Sequence, residues 1–221
     1  MKFTGYITVR LNSKRLPRKS IKKINGVTLV DNSIKILNAV PEIDETILYC
    51  SDDSIESYIS NNSKYKLLER PEYTNSDTAS FNDVLNSTIS MIDTDYIVFL
   101  CCTSPFIKPE TITEMINKIK SENYDSSFAV IEEKNFCWFN GMPLNYTLSE
   151  NIPRTQDLVP IKVETSGLYI FSKNLFKDHS RRIGLNPYIK SIGIIESWDI
   201  DTLEDFMVAQ ALSEIKNDIS S

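Results

Sequence analysis

Residues 96–102 read Tyr-Ile-Val-Phe-Leu-Cys-Cys, YIVFLCC, an almost unbroken apolar run. A strand with one wet face alternates polar and apolar side chains, whereas a strand covered on both faces has no need to. The run therefore predicts a buried strand of a parallel sheet packed between helices. The neighbouring segments agree. Thr78 to Met91 places Phe81, Val84, Leu85 and Ile89 on one helical face. Pro109 suits the first turn of a following helix, whose stripe is Ile112, Met115, Ile116 and Ile119.

Further out, strand patterns at Gly5–Val9, Thr46–Cys50, Ser127–Ile131, Gly167–Phe171 and Ile192–Ile195 alternate with helical ones. The helical patterns are Leu29–Leu37, a short piece at Ile55–Ile59 and a C-terminal helix from Thr202. This alternation predicts an α/β fold with a mostly parallel, doubly wound sheet. Residues 134–162 break the rhythm with Phe136, Trp138, Phe139, an Asn140-Gly141 turn and three prolines. They read as an inserted arm carrying apolar surface within a single domain spanning 1–221.

Composition narrows the function classes. The 221 residues carry 24 basic and 30 acidic side chains, a formal charge of -6, which disfavours nucleic-acid or membrane-surface partners. No apolar run approaches the roughly 20 residues of a membrane span. The N-terminus is charged too early for a signal peptide. Four cysteines without a C-x-x-C pair, and one histidine, give no zinc pattern and suit reduced thiols in the cytoplasm. Cys101 and Cys102, adjacent in a strand, are expected on opposite faces.

Against that acidic background, residues 10–20 read RLNSKRLPRKS, with no acid before Asp31. A charge run is often only a solvated face. This one leaves the carboxyl end of the first strand, where open α/β sheets bind ligands. Its cations, the Ser13 hydroxyl and free backbone N–H groups suit a polyphosphate. Neither G-x-x-x-x-G-K-[ST] nor G-x-G-x-x-G is present. Near the C-terminus, Asp199 and Asp201 are two apart in a segment that reads as extended, so both carboxylates face one way. Two carboxylates together with phosphate oxygens suit Mg²⁺. Thr202 and Asp205 resemble a capping box opening the last helix, which leaves the two aspartates free for metal. A phosphate loop and an acidic pair are the two halves of a nucleotidyl-transfer site, where catalysis is positioning and charge neutralisation.

Five ordered motifs together resemble the acylneuraminate cytidylyltransferase (CMP-sialic acid synthetase-like) family. They are Arg10, Ser13, Lys14, Pro17 and Lys19; Arg70-Pro71 with Asp77-Thr78-Ala79-Ser80; Thr103-Ser104-Pro105; Gly167-Leu168-Tyr169-Ile170; and Asp199-Ile200-Asp201-Thr202 with Asp205. The resemblance implies a nucleotide-diphospho-sugar transferase (GT-A-like) fold, CTP as co-substrate, Mg²⁺, and a CMP conjugate with pyrophosphate as products. It assigns Arg10, Lys19 and Asp201 to catalysis and Asp199 and Asp201 to the metal. Arg10, Ser13, Lys14, Arg15, Lys19, Arg70, Ala79 and Ser80 fall to the nucleotide. Thr103, Ser104, Arg154, Gln156 and Glu164 fall to a small acidic acceptor of the nonulosonic type used for cell-surface glycans, with Lys190 a further pocket candidate. The arm would pair subunits into a homodimer.

The departures lie on the acceptor side. Cys101 and Ile107 stand where sialic acid enzymes usually carry Gln and Arg, which keeps a phosphonate or other non-sugar acceptor open. Ser20 replaces the usual Asn. An idle nucleotide-binding relative is a third reading, and it would call for a broken metal pair or phosphate loop. Both are intact.

Overall fold

Seven strands form one sheet: β1 (Phe3–Val9), β2 (Glu45–Cys50), β3 (Lys66–Glu69), β4 (Tyr96–Leu100), β5 (Ser126–Glu133), β6 (Ile161–Ser172) and β7 (Pro187–Ser191). The computed structural model describes residues 1–76, 78–149 and 151–220, the last five by backbone alone. The order across the sheet is β7-β5-β6-β4-β1-β2-β3. β6 runs antiparallel to β4 and β5, and every other neighbouring pair is parallel. The helices are α1 (Leu29–Asn38), α2 (Phe81–Asn86), α3 (Pro109–Glu122), α4 (Lys173–His179) and α5 (Leu203–Ser220).

Side-chain alternation splits the core in two. Ile7, Leu48, Val98, Leu100 and Ile170 pack on one face with Val30 and Ile34 of α1 and Ile112, Met115 and Ile116 of α3. Tyr6, Tyr49, Ile97, Phe99, Tyr169 and Phe171 pack on the other with Val84 and Leu85 of α2 and Phe176 of α4. YIVFLCC is thus covered on both sides. Cys102 joins the first cluster and Cys101 borders the second, and all four cysteines are free thiols. No helix among the described residues is long and apolar enough to cross a membrane.

Several elements differ from expectation. The run Thr78–Met91 is not one helix: α2 stops at Asn86 and a 3₁₀ turn follows at Ile89–Met91. Ile192–Ile195 is not a strand. The edge strand β7 lies just before it, and Ile194 and Ile195 are exposed in a turn closed by Ser197 N–H to the Gly193 carbonyl at 3.0 Å. The expected strand Gly167–Phe171 is the last part of β6, whose pairing with β5 begins at Ile161. The stretch outside the sheet is therefore 134–160, with Glu150 not described.

From β1 the chain winds through β2 and β3 on one side, then crosses back to β4 on the other. The carboxyl ends of β1 and β4 therefore flank the switch point, where such sheets form their ligand crevice.

Candidate active site at the sheet's switch point

A third apolar cluster builds the site. Leu16 of the basic loop and Ile200, between the two aspartates, are buried together with Leu29 of α1 and Phe206 and Ala209 of α5. Leu16 is 3% exposed and Ile200 is fully buried, so each pins its own segment. Their polar neighbours are then turned toward one another across the crevice. Lys19 Nζ donates to Asp201 Oδ1 at 2.9 Å and to the Ile200 carbonyl at 2.8 Å. Arg15 Nη1 donates to Asp201 Oδ2 at 2.7 Å. Partial burial opposes charge on Asp201, but the hydrogen bond and charge of Lys19, with the charge of Arg15, outweigh it and hold the carboxyl below its ordinary range.

α5 opens as its sequence predicts. The Asp205 carboxylate accepts from the backbone N–H groups of Asp201 and Thr202 at 3.0 and 2.8 Å, and Thr202 Oγ1 accepts from Asp205 N–H at 3.2 Å. Asp199 stays outside this cap. Ser104 Oγ approaches its Oδ1 at 3.4 Å, and the Ile200 N–H donates to the Thr103 carbonyl at 2.9 Å. The strand carrying Gly167 closes the back: a Cβ there would lie 2.7 Å from Ser104 Oγ, so only glycine admits this approach.

A cavity of about 550 Å³ results, lined by Arg10, Ser13, Lys14, Arg15, Lys19, Ser20, Cys101, Cys102, Thr103, Ser166, Asp199 and Asp201, together with Thr8, Val9 and Leu16. Arg10 also lines a neighbouring cavity of about 760 Å³ at the carboxyl ends of β2 and β3, with Ser51, Asp52, Glu69, Arg70 and Asn75 among its walls. Asp199 and Asp201 thus face the space that the basic loop faces. No group of three or more His, Cys, Asp or Glu side chains among the described residues forms a ready-made metal cage. Two carboxylates beside a cationic wall fit Mg²⁺, which completes its shell with phosphate oxygens and water.

Other candidates are placed differently. Arg70 is 7% exposed. Its Nε donates to Thr74 Oγ1 at 2.9 Å, its Nη1 to Thr8 Oγ1 at 3.0 Å and its Nη2 to the Thr74 carbonyl, so it braces the cavity wall. Ser80 caps α2 in a reciprocal box with Asp83, and the Ala79 N–H donates to Ser76 Oγ at 3.1 Å. Neither Ala79 nor Ser80 lines either cavity, and Asp77 of the same motif lies outside the described residues. Arg154 forks onto Asp157 at 2.7 and 3.2 Å, exposed on the 134–160 segment with Gln156. Glu164 accepts from Tyr169 OH and, at 3.4 Å, from Arg182. Lys190 pairs with Glu114 at 2.6 Å on the edge strand. Arg154, Gln156, Glu164 and Lys190 line neither cavity, and Ser104, 1% exposed, lies behind the wall that Thr103 lines.

Several wall residues belong to no expected site, among them Ser51, Asp52, Glu69, Asn75 and Ser166, and Ser20 stands out in the sequence only as a replacement for the usual Asn. Ser20 is 2% exposed, and its hydroxyl is a buried polar atom without a partner. Asn75, whose carbonyl accepts from Arg10 Nη1 at 2.8 Å, belongs to no motif at all.

A family profile described as Cytidylyltransferase matches residues 5–212. N-acylneuraminate cytidylyltransferase A of Danio rerio is 27% identical over 216 residues, which cover 94% of this chain and 50% of that protein. The N-acylneuraminate cytidylyltransferase of Oncorhynchus mykiss is 24% identical, and the chain spans 40% of its length. The 3-deoxy-manno-octulosonate cytidylyltransferase of Fusobacterium nucleatum is 25% identical over 98% of this chain and 82% of its own. Among solved structures, a CMP:2-keto-3-deoxy-manno-octonic acid synthetase complexed with CTP superposes with a TM-score of 0.73 at 15% identity, covering 98% of this chain and all of that one. The 4-diphosphocytidyl-2C-methyl-D-erythritol synthase of Anaerococcus prevotii superposes at 0.67 with 13% identity, over 96% of this chain and 98% of the other. Both likenesses concern the fold.

Proposed function

The chain belongs to the cytidylyltransferase family, and on that premise we propose that it transfers CMP from CTP to a small acidic sugar of the ulosonic or nonulosonic kind, releasing pyrophosphate. The observation that carries this reading is the meeting of Arg15 and Lys19 with Asp201, beside Asp199, in one cavity at the switch point. The relatives named for N-acylneuraminate and 3-deoxy-manno-octulosonate supply the acceptor class.

The basic loop binds the triphosphate. Lys19, with 16% of its side chain exposed, is held in the wall and meets the phosphates as a fixed charge; Arg15, at 69%, meets them from the rim, where Asp201 holds it. Preorganised charge of this kind stabilises the transition state because it needs no reorganisation as charge moves. The nucleoside occupies the larger cavity beside Arg70. The acceptor enters on the side of Thr103 and Ser166, and its oxygen attacks the α-phosphorus as the bond to the β-phosphate breaks. Asp199 and Asp201 would hold Mg²⁺, which supplies charge neutralisation at the phosphates and alignment of the reacting oxygens. The exposed apolar side chains of 134–160 pair two subunits in a homodimer.

Pyrophosphate release from CTP and Mg²⁺ tests the reading, with N-acetylneuraminate and 3-deoxy-manno-octulosonate as acceptors. Release with either acid, cut about 100-fold or more in Asp201→Asn, is the expected result. Undiminished turnover in that variant removes the metal role, and no release with either acid contradicts the acceptor class.

A further inference from the structure

Glu196 is a buried carboxylate that the proposed reaction does not use. Its side chain is 9% exposed and sits three residues before Asp199. Its Oε1 accepts from Thr111 Oγ1 at 2.5 Å and from the Lys108 backbone N–H at 3.2 Å, and its Oε2 lies 3.7 Å from Lys108 Nζ. Lys108 to Thr111 is the start of α3, and the N-cap residue, Lys108, makes no side-chain capping bond of its own. The cap is supplied instead by Glu196, from a segment 85 or more residues away. Orphan N–H groups and the helix dipole both favour a carboxylate there.

The place of this contact gives it a second role. α3 follows Thr103 and Ser104, and Glu196 precedes Asp199 and Asp201, so one side chain ties together the segments that form two walls of the cavity. The link between the Ile200 N–H and the Thr103 carbonyl joins the same two segments further along. The two ends of the 192–198 turn are held elsewhere, Ile192 against the first core cluster and Trp198 against the third, while between them Ile194 is 62% exposed and Ile195 is 49% exposed. Between those ends, the Glu196 carboxylate hydrogen-bonds the start of α3.

We propose that Glu196 is a positioning residue, which fixes the acidic segment against α3 so that Asp199 and Asp201 present their carboxylates to a divalent cation. The inference rests on the metal site of the proposed function. Glu196 itself touches neither nucleotide nor cation.

Calorimetry of CTP binding, with Mg²⁺ and in EDTA, separates this role from a merely structural one. In the wild type, Mg²⁺ tightens binding of CTP. In Glu196→Ala that Mg²⁺-dependent gain falls about 10-fold, the size seen when residues supporting metal ligands are removed. Affinity in EDTA stays close to wild type. Glu196→Gln, whose amide oxygen still accepts from Thr111 and Lys108, recovers most of the gain. Should Glu196→Ala not fold, Glu196→Asp, with the charge kept but the reach shortened, shows the same selective loss at smaller size. An unchanged gain, or equal weakening with and without Mg²⁺, overturns the inference while leaving the CTP site standing. A wild type that binds no CTP overturns the site reading and the inference with it.

Discussion

Asp201 is held by two cations, Lys19 and Arg15, and that pairing makes its contribution to stability sensitive to acid. Lys19 and Arg15 lower its folded-state proton affinity below that of an ordinary aspartate. A carboxylate depressed in this way stabilises the fold above the unfolded value, near pH 4, and loses that contribution as pH falls through the lower folded value. The difference in melting temperature between wild type and Asp201→Asn is therefore expected to be full above about pH 5 and to shrink steadily in acid. A difference that stays constant down to the acid unfolding limit contradicts the pairing. At this scale the site was partly legible. The loop 10–20 and the pair Asp199 and Asp201 stand out because like charges are concentrated where local neutralisation is absent. Ser20 is marked in the sequence only as a replacement for the usual Asn, and its burial without a partner cannot be read from one serine after a lysine. Arg154 and Gln156 rested on resemblance alone, and the local physics of Arg154 is an i,i+3 pair with Asp157.

The misread helix shows why element boundaries escape a periodic pattern. Phe81, Val84, Leu85 and Ile89 do repeat at helical spacing, yet the helix ends where two hydroxyls compete for its carbonyls. Ser87 Oγ donates to the Val84 carbonyl at 2.6 Å and Thr88 Oγ1 to the Leu85 carbonyl at 3.3 Å. Tyr49 and Tyr6, from the sheet, anchor the same two hydroxyls at 2.7 and 2.9 Å. Those partners lie 38 and 82 residues away, beyond any local window. β3 was missed for a related reason. Lys66-Leu67-Leu68-Glu69 is a short edge strand between charges, and its pairing with β2 alone defines it. The hairpin at Asn140-Gly141 was readable because both residues take positive φ, 49° and 77°, as that turn requires. The arm around it exposes Trp138 at 53%, Phe139 at 64%, Met142 at 65% and Leu148 at 68%, and in the proposed homodimer these side chains are covered by the partner. Sedimentation is expected to give about twice the 25.3 kDa chain mass, and the single chain mass when Trp138 and Phe139 are both changed to Glu. A wild type that sediments as a monomer at micromolar concentration contradicts the pairing.

The whole molecule explains how charges from opposite ends of an acidic chain meet. The sheet supplies a crevice at the carboxyl ends of β1 and β4. The third core cluster, around Leu16, Ile200 and Phe206, then fastens the first loop to the last helix, with Lys19 and Ile200 separated by 181 positions in the sequence. The architecture was legible from apolar runs because burial on both faces leaves a mark in the sequence. The antiparallel course of β6 was not, because strand direction depends on where the arm returns the chain and not on side-chain pattern. Two cavities meet at Arg10, and under the proposed function the triphosphate would take the smaller space and the nucleoside the larger. The central claim is that this ligand is CTP, and calorimetric titration with CTP, ATP, GTP and UTP in the presence of Mg²⁺ tests it without any acceptor. Clear preference for CTP, weakened when Lys19 is changed to Ala, is the predicted result. Equal affinity for all four nucleotides, or binding of none, contradicts it.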